Sequence, residues 1–224
     1  NWSNVAIQMC QRRFGAGADG LLVVANSETA AIRMRMFNPD GSEAEMCGNG
    51  LRCFTKYVVE YGIVSSNTDT FDIETATRIV SSTPSLSNGL VESATINMGH
   101  PLFDADQIPI LRSPTEANQG PILDDDLDVD DITLSLQYVS MGNPHAVCFI
   151  DTPVATFDLS RIGPQIEHHP KFPNRMNFHI ANVTEDGSIV MRSWERGAGE
   201  TWSCGSGACA VGVVASLRGQ LDPA

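Results

Sequence analysis

The sequence is poor in basic residues and has no long apolar run. Only 14 of its 224 residues are Lys or Arg, against 27 Asp or Glu, which gives a formal charge of −13. Such a charge argues against binding to a phosphate backbone. No apolar run approaches the roughly 20 residues that span a bilayer. We therefore expect no nucleic-acid partner and no membrane partner.

The cysteines lack the spacing that metal sites and disulfide scaffolds require. They lie at positions 10, 47, 53, 148, 204 and 209, and none forms Cys-x-x-Cys. Six cysteines in a chain of this length are few for a disulfide scaffold. We expect free thiols, no metal and a cytoplasmic location.

Periodicity predicts an α+β chain with more strand than helix. Strands are expected over 21–24, 31–37, 70–80, 90–98, 134–139, 146–150, 177–183 and 188–194, and helices over 54–61 and 208–217. The acidic stretch 112–131 is expected to be a solvated loop, because it lacks the ligand pattern of a calcium site. A boundary near Gly99 is expected to separate domain 1–98 from domain 99–224.

One pattern occurs twice in the chain. Cys-Gly-Asn-Gly at 47–50 is echoed by Cys-Gly-Ser-Gly at 204–207. Asn38 precedes the first cysteine by nine positions, and Glu195 precedes the second by nine. A glycine follows each cysteine by 15 positions, after an apolar segment. Each half is therefore predicted to contain a strand, a polar loop, the cysteine and a helix, which indicates duplication of one domain.

The repeated motif points to chemistry on a carboxylate. Glycines allow close approach of the backbone, and the first turn of a helix has free amides that favour an anion. The same field favours a thiolate at the helix N-terminus. If the halves face each other, Cys47 and Cys204 would flank one α-carbon. One sulfur would remove the α-proton and the other would return a proton on the opposite face, without a cofactor.

Other interpretations apply to the cysteines as well. Core packing or a reversible disulfide are the alternatives for Cys47 and Cys204. The other four cysteines are expected to pack as small hydrophobes. His100, His168, His169 and His179 carry no motif and are assigned no role.

Four segments are similar to a known family: 14–20, 37–53, Met-Gly-Asn-Pro-His-Ala-Val at 141–147 and 195–207. With them the sequence resembles diaminopimelate epimerases over nearly its whole length. The resemblance implies two pseudo-symmetric α+β domains, each a mixed β-sheet or barrel curled around a central helix, with the active site in the interdomain cleft. It also implies that the family's first strand and last strand are missing here.

The resemblance further implies a function. The reaction would be cofactor-independent epimerisation of LL-2,6-diaminopimelate to meso-diaminopimelate, in the synthesis of lysine and peptidoglycan precursors. The substrate is thus the expected small-molecule partner, and a homodimer is the expected assembly.

The resemblance also implies which residues form the site. The catalytic residues would be Cys47 and Cys204, with His145 and Glu195 helping to set the protonation of the sulfurs. Backbone donors at Gly48, Asn49, Gly205 and Ser206 would hold the α-carboxylate. Asn38, Asn143, Asn177 and Arg196 would contact the substrate, largely at its distal end.

Several alternatives stay open. Proline or hydroxyproline racemases also use two cysteines as acid and base, whereas phenazine-pathway isomerases lack the cysteine pair. A non-catalytic redox-sensing dithiol module is an alternative from another class. The combination of Gly-Asn-Pro-His with Glu-Arg-Gly-Ala-Gly-Glu-Thr favours diaminopimelate.

Overall fold

The computed structural model describes residues 1–112 and 120–221. The chain forms two compact units, Asn1–Gly99 and His100–Ala224. Each unit contains a six-stranded mixed sheet and a 13-residue helix that follows a cysteine. The fold is therefore α+β, with few helices. None of the helices in the described ranges combines the length and hydropathy needed to span a bilayer.

In the first unit, one sheet packs against one long helix. The elements are α1 (Trp2–Cys10), β1 (Leu21–Ala25), β2 (Ile32–Phe37), β3 (Glu43–Ala44), α2 (Gly48–Glu60), β4 (Phe71–Glu74), β5 (Ile79–Ser87) and β6 (Leu90–Asn97). The sheet order is β1-β2-β4-β5-β6, with β3 on β2 and a parallel β2–β4 pair. Leu51, Phe54 and Val58 form a buried stripe of α2 at helical spacing. Burying each contributes about 2 kcal/mol.

The second unit repeats this plan with another six-stranded sheet. Its elements are β7 (Ile122–Val129), β8 (Ile132–Ser140), β9 (Pro144–Phe149), α3 (Leu159–Glu167), β10 (Asn177–Val183), β11 (Ile189–Glu195), β12 (Gly199–Thr201) and α4 (Gly205–Leu217). The order is β12-β11-β10-β9-β8-β7, with a parallel β9–β10 pair. The buried face of α4 uses Ala210, Val211, Val214 and Ala215.

The duplicated pattern is present in three dimensions within each unit. The offset between the two copies is 204 − 47 = 157 residues. Phe37 pairs with Glu43 between β2 and β3, and Trp194 pairs with Glu200 between β11 and β12, at the same offset. An arginine–glutamate ion pair recurs at this offset too, at 2.8 Å from Arg35 to Glu43 and at 2.7 Å from Arg192 to Glu200. The structure therefore supports duplication of one domain.

Most predicted elements are confirmed, and several are incomplete or wrong. The hairpin 177–183/188–194 is present as antiparallel β10 and β11. The predicted helices begin earlier, directly after each cysteine, and the segment 70–80 contains parts of two strands. Helices α1 and α3 and the short strand β12 were not predicted.

The prediction of a solvated loop over 112–131 is wrong for most of its described part, which forms β7 and its turn into β8. Residues 113–119 lie outside the described residues. In β7 three aspartates point outward and alternate with buried Leu127 and Val129. The half-buried Asp125 accepts a hydrogen bond from the hydroxyl of Tyr138 at 2.6 Å and pairs with Lys171. The inward residues alternate with period two, which outweighs the high charge of the segment.

Gly163→Ala is expected to destabilise the protein. The added Cβ would lie 2.5 Å from the ring of Trp194, so α3 or the indole must shift. Such overpacking costs about 1–3 kcal/mol in the free energy of unfolding, which a urea titration measures.

Gly212→Ala is the matched control, because its Cβ would meet nothing within 4 Å on α4. Alanine is the better helix former and should add about 0.5–1 kcal/mol. An equal change in both variants would mean that Trp194 does not restrict α3.

Candidate functional site

Each repeated cysteine caps the helix that follows it. Cys47 has extended backbone angles, φ −147° and ψ 106°, and its Sγ accepts a hydrogen bond from the amide of Gly50 at 3.2 Å. Cys204 has φ −119° and ψ 108°, and its Sγ accepts from the amide of Gly207 at 3.3 Å. A sulfur thus occupies the position that an oxygen of Ser or Asp takes in ordinary N-caps. The positive end of the helix dipole stabilises negative charge at this position.

The third residue after each cysteine must be small. A Cβ on Gly50 would lie 3.2 Å from the Sγ of Cys47 and 3.1 Å from a methyl of Leu22. A Cβ on Gly207 would lie 2.4 Å from Cε1 of His179. Leu22 and His179 occupy equivalent positions, since 22 + 157 = 179. Each cap therefore packs tightly on the strand beneath it.

The surroundings of the second cysteine favour a protonated thiol. Cys204 is buried, and burial together with the Glu195 carboxylate raises the pKa of its thiol to about 12. The hydroxyl of Ser206, 3.7 Å from the sulfur, and the amide of Gly207 act in the opposite direction. The residue equivalent to Glu195 in the first unit is Asn38, since 38 + 157 = 195, so a neutral amide stands where the second unit has a carboxylate.

In the first unit, the predicted site residues lie along one continuous segment. Asn38 follows β2 and begins a tight turn, in which its amide donates to the hydroxyl of Ser42 at 3.0 Å. The chain returns as β3 and reaches Cys47. Gly48 and Asn49 are the first two residues of α2. The amides of such first-turn residues have no acceptor within their own helix.

In the second unit, Asn177 connects two parts of the predicted site. It is the first residue of β10, and its side-chain amide donates to the carbonyl of Pro144 at 2.7 Å. Its side-chain oxygen accepts from the amide of Arg196 at 2.9 Å. The segment that carries Asn143 is thus held close to the turn that carries Glu195. Gly205 and Ser206 begin α4.

A chain of buried hydrogen bonds joins four polar residues of this unit. Nε2 of His145 bonds to Oδ1 of Asn143 at 2.8 Å, and its Nδ1 bonds to Nε2 of His179 at 2.8 Å. Nδ1 of His179 bonds to the hydroxyl of Ser193 at 2.9 Å. With Oδ1 of Asn143 as the acceptor, one arrangement in which both imidazoles are neutral satisfies every atom. The hydroxyl of Ser193 donates to His179, His179 donates to His145, and His145 donates to Asn143.

Both imidazoles resist protonation. Burial lowers the pKa of His179 to about 3 and, with the neighbouring imidazole, places the pKa of His145 well below its usual range. Sequence reasoning assigned no role to His179. The available signal was its position two residues after Asn177, because alternate residues of a strand share a face.

No cluster of three or more His, Cys, Asp or Glu residues suited to hold a metal occurs in residues 1–112 and 120–221. The polar groups described above are a sulfur at the N-terminus of one helix in each unit and, in the second unit, the carboxylate of Glu195.

Glu195→Gln is expected to make Cys204 more reactive. Removing the carboxylate charge lowers the pKa of the thiol, and the thiolate fraction at pH 8 rises tenfold for each unit of pKa lost. Because the thiolate is the nucleophile, alkylation of Cys204 by iodoacetamide, measured by peptide mass spectrometry, should accelerate about tenfold. Glu185→Gln, an exposed carboxylate in the β10–β11 turn, is the control. Equal rates in the two variants would contradict the effect of Glu195.

Acid is expected to destabilise the protein through the buried imidazoles. Unfolded histidines bind protons below a pKa of 6.5, whereas the folded pair stays neutral to far lower pH. The unfolded state then holds more protons, so stability falls as pH falls below 6.5, by about 3 kcal/mol per pH unit for two residues.

Urea titrations between pH 6 and pH 5 measure this slope. His179→Asn should remove about half of it. His100→Asn, at an exposed site, should leave it unchanged. An undiminished slope in His179→Asn would mean that the pair does not resist protonation.

Comparison with known proteins agrees with the motifs. The family described as diaminopimelate epimerase matches residues 1–101 and 137–223. The diaminopimelate epimerase of Moorella thermoacetica is 44% identical over 218 residues, which cover 97% of this chain and 75% of that protein. The diaminopimelate epimerase of Methanococcus maripaludis (strain C5) is 41% identical over 221 residues, covering 99% of this chain and 77% of that protein.

Solved structures share the two-domain fold. A probable proline racemase from Agrobacterium radiobacter K84, with bound carbonate, has a TM-score of 0.71 at 18% identity, over 98% of this chain and 66% of that chain. A hydroxyproline epimerase from Agrobacterium vitis, with bound trans-4-OH-L-proline, has a TM-score of 0.71 at 17% identity, over 97% and 66%. The chain spans slightly less than two thirds of the length of these two proteins.

The structural likeness at such identity shows the fold alone. The family match and the two sequence relatives extend over most of the chain at more than 40% identity. The chain therefore belongs to the diaminopimelate epimerase family of isomerases.

Proposed function

We propose that this protein interconverts LL- and meso-diaminopimelate by a two-base mechanism that uses Cys47 and Cys204. The observation that carries the proposal is the duplicated cap, in which a cysteine sulfur accepts the amide hydrogen of the third helical residue. Family membership supplies the substrate. The reaction would serve the synthesis of lysine and of peptidoglycan precursors.

The chemical step moves one proton off the α-carbon and another onto it. The thiolate of one cysteine takes the α-proton, and the electron pair of the broken C–H bond moves toward the carboxylate. The thiol of the other cysteine gives its proton to the opposite face of the carbon and becomes the thiolate. The two sulfurs exchange protonation states in each turnover, and no oxidant or cofactor is required.

Helix N-termini stabilise the intermediate in this proposal. Charge accumulates on the substrate carboxylate as the α-proton leaves, and preorganised amides stabilise such charge without reorganisation. The backbone donors are those of Gly48 and Asn49 on α2 and of Gly205 and Ser206 on α4. The same amides bind the carboxylate in the ground state.

The two cysteines start in opposite protonation states. The raised pKa of Cys204, caused by burial and by Glu195, supports its role as the resting thiol. Cys47 is then the base for the first proton transfer. His145 contributes indirectly, because its two nitrogens bond to Asn143 and His179.

Polar residues around the caps would bind the distal end of the substrate. That end carries an ammonium and a carboxylate, so it needs both acceptors and donors. Arg196 supplies charged donors, and the amides of Asn38, Asn143 and Asn177 supply either type. The amide orientation of Asn143 is set by His145, to which its oxygen is bonded.

Location and assembly are also proposals. All six cysteines are free thiols in the structure, which supports a reducing compartment such as the cytoplasm. A homodimer, and the lack of nucleic-acid and membrane partners, remain expectations from the sequence.

α-Proton exchange in deuterated buffer tests the mechanism. The wild-type protein, supplied with LL-diaminopimelate, should place deuterium on the α-carbon of the meso isomer that it forms, and Cys47→Ser or Cys204→Ser should slow this incorporation about 10²–10⁴-fold, because a hydroxyl replaces an ionisable acid–base group. Mass spectrometry follows the label, and chiral chromatography follows the appearance of the meso isomer.

Cys53→Ser on α2 and Cys209→Ser on α4 are matched controls and should exchange at the wild-type rate. Undiminished exchange in the Cys47→Ser/Cys204→Ser variant would remove both sulfurs from the mechanism. Exchange with proline or hydroxyproline but not with diaminopimelate would favour the racemases whose fold the chain shares. Absence of exchange with all three would favour a redox-sensing dithiol.

A further inference from the structure

One buried carboxylate in the second unit has no part in the mechanism above. Glu167 is the last residue of α3 and is only 4% exposed. Burying a carboxylate is costly unless its oxygens accept several hydrogen bonds. Here they accept from three donors, on Trp194, Arg175 and Gly197.

Two of these hydrogen bonds come from residues on either side of one dipeptide, Glu195-Arg196. Oε2 accepts from the indole Nε1 of Trp194 at 2.7 Å, and Oε1 accepts from the amide of Gly197 at 2.9 Å. Between these two donors lie Glu195 and Arg196. One carboxylate therefore spans the dipeptide that carries a proposed modulator of Cys204 and a proposed substrate ligand.

The same turn is constrained by other contacts. The amide of Arg196 donates to Asn177 at 2.9 Å, and its guanidinium donates to the carbonyl of Asn174 at 2.9 Å. Gly197 has φ +77°, which other residues rarely adopt, so this turn needs glycine at that position. The charged and titratable groups that face Glu167 are the guanidinium of Arg175 at 3.2 Å and the imidazole of His168 at 3.9 Å.

We infer that Glu167 is a positioning residue, whose carboxylate holds the 195–197 turn so that Glu195 and Arg196 keep their directions. The inference rests on the proposed function for the roles of those two side chains. It extends that function to α3, an element that carries none of the residues singled out by motif. Close contact of Gly163 with the Trp194 ring places α3 near enough for this bond.

Glu167→Gln removes the charge and one acceptor oxygen of the carboxylate and keeps the shape of the side chain. A glutamine offers one acceptor oxygen and one NH₂ group. Either Trp194 loses its acceptor or Arg175 and Gly197, which share Oε1, lose theirs, and in both cases a donor faces the NH₂ group. An unsatisfied buried donor at this position should loosen the turn. We expect KM for diaminopimelate to rise about tenfold and the pH profile of kcat/KM to shift, because Arg196 and Glu195 lose their fixed directions.

A second variant keeps the test independent of folding defects. In Glu167→Gln/Trp194→Phe the competing indole donor is gone, so the glutamine oxygen is available to Gly197. In this double variant KM should return most of the way to the wild-type value, although the variant removes more atoms than the single one. Glu185→Gln, with the same change of charge at an exposed site, should match the wild-type protein.

Amide hydrogen exchange of the 195–199 segment provides the readout that needs no activity. Exchange at Gly197 should be faster in Glu167→Gln than in Glu185→Gln, by about tenfold. Unchanged exchange would overturn the inference. So would faster exchange with an unaltered KM and pH profile, because a merely structural residue lowers only the amount of folded enzyme. A wild-type protein that lacks epimerase activity would reject the proposed function, while the exchange result would still decide whether Glu167 holds the turn.

Discussion

The amide hydrogen of a first-turn glycine, donated to a cysteine sulfur, is the interaction on which both halves of the proposed site depend. It fixes the sulfur at the positive end of a helix, where the field favours negative charge. A larger residue at that position would collide with His179 in the second unit and would press on the sulfur and on Leu22 in the first. The helix after each cap has one buried face, so the position of each sulfur depends on the hydrophobic core of its own unit.

The backbone arrangement around the two caps is the same, but the side chains at equivalent positions near the two cysteines are different. The strand pairing, the arginine–glutamate pair and the helix length recur at a constant offset. Two positions differ in polarity: Asn38 is replaced by Glu195, and Leu22 by His179. The proposed two-base mechanism needs one thiol to be protonated and the other ionised, and these two differences make the surroundings of the sulfurs unequal within the same backbone frame.

The sequence alone predicted the caps and most strands, because both are local properties. A cysteine before Gly-x-Gly and an apolar helix predicts an N-cap, and alternation predicts a strand. Three features were out of reach. The acidic strand β7 was not predicted, because its outward aspartates gave the segment the composition of a solvated loop. Helix α3 was missed because a proline at position 164 lies inside it. The role of Glu167 depends on contacts with residues 27 and 30 positions away, which no local pattern reveals. That of His179 depends on a contact 34 positions away, and its place two residues after Asn177 indicates the shared face but not the partner.

The identical offset of the ion pairs has an evolutionary consequence. Arg35 pairs with Glu43 and Arg192 pairs with Glu200, and neither pair takes part in the proposed proton transfers, so that chemistry does not explain their recurrence on its own. Duplication of one ancestral domain explains it, because both copies inherit the same scaffold. Directly after such a duplication the two thiols would have had identical surroundings. In the proposed mechanism, the Glu195 carboxylate, whose counterpart is the neutral amide of Asn38, would make one thiol the acid and leave the other as the base.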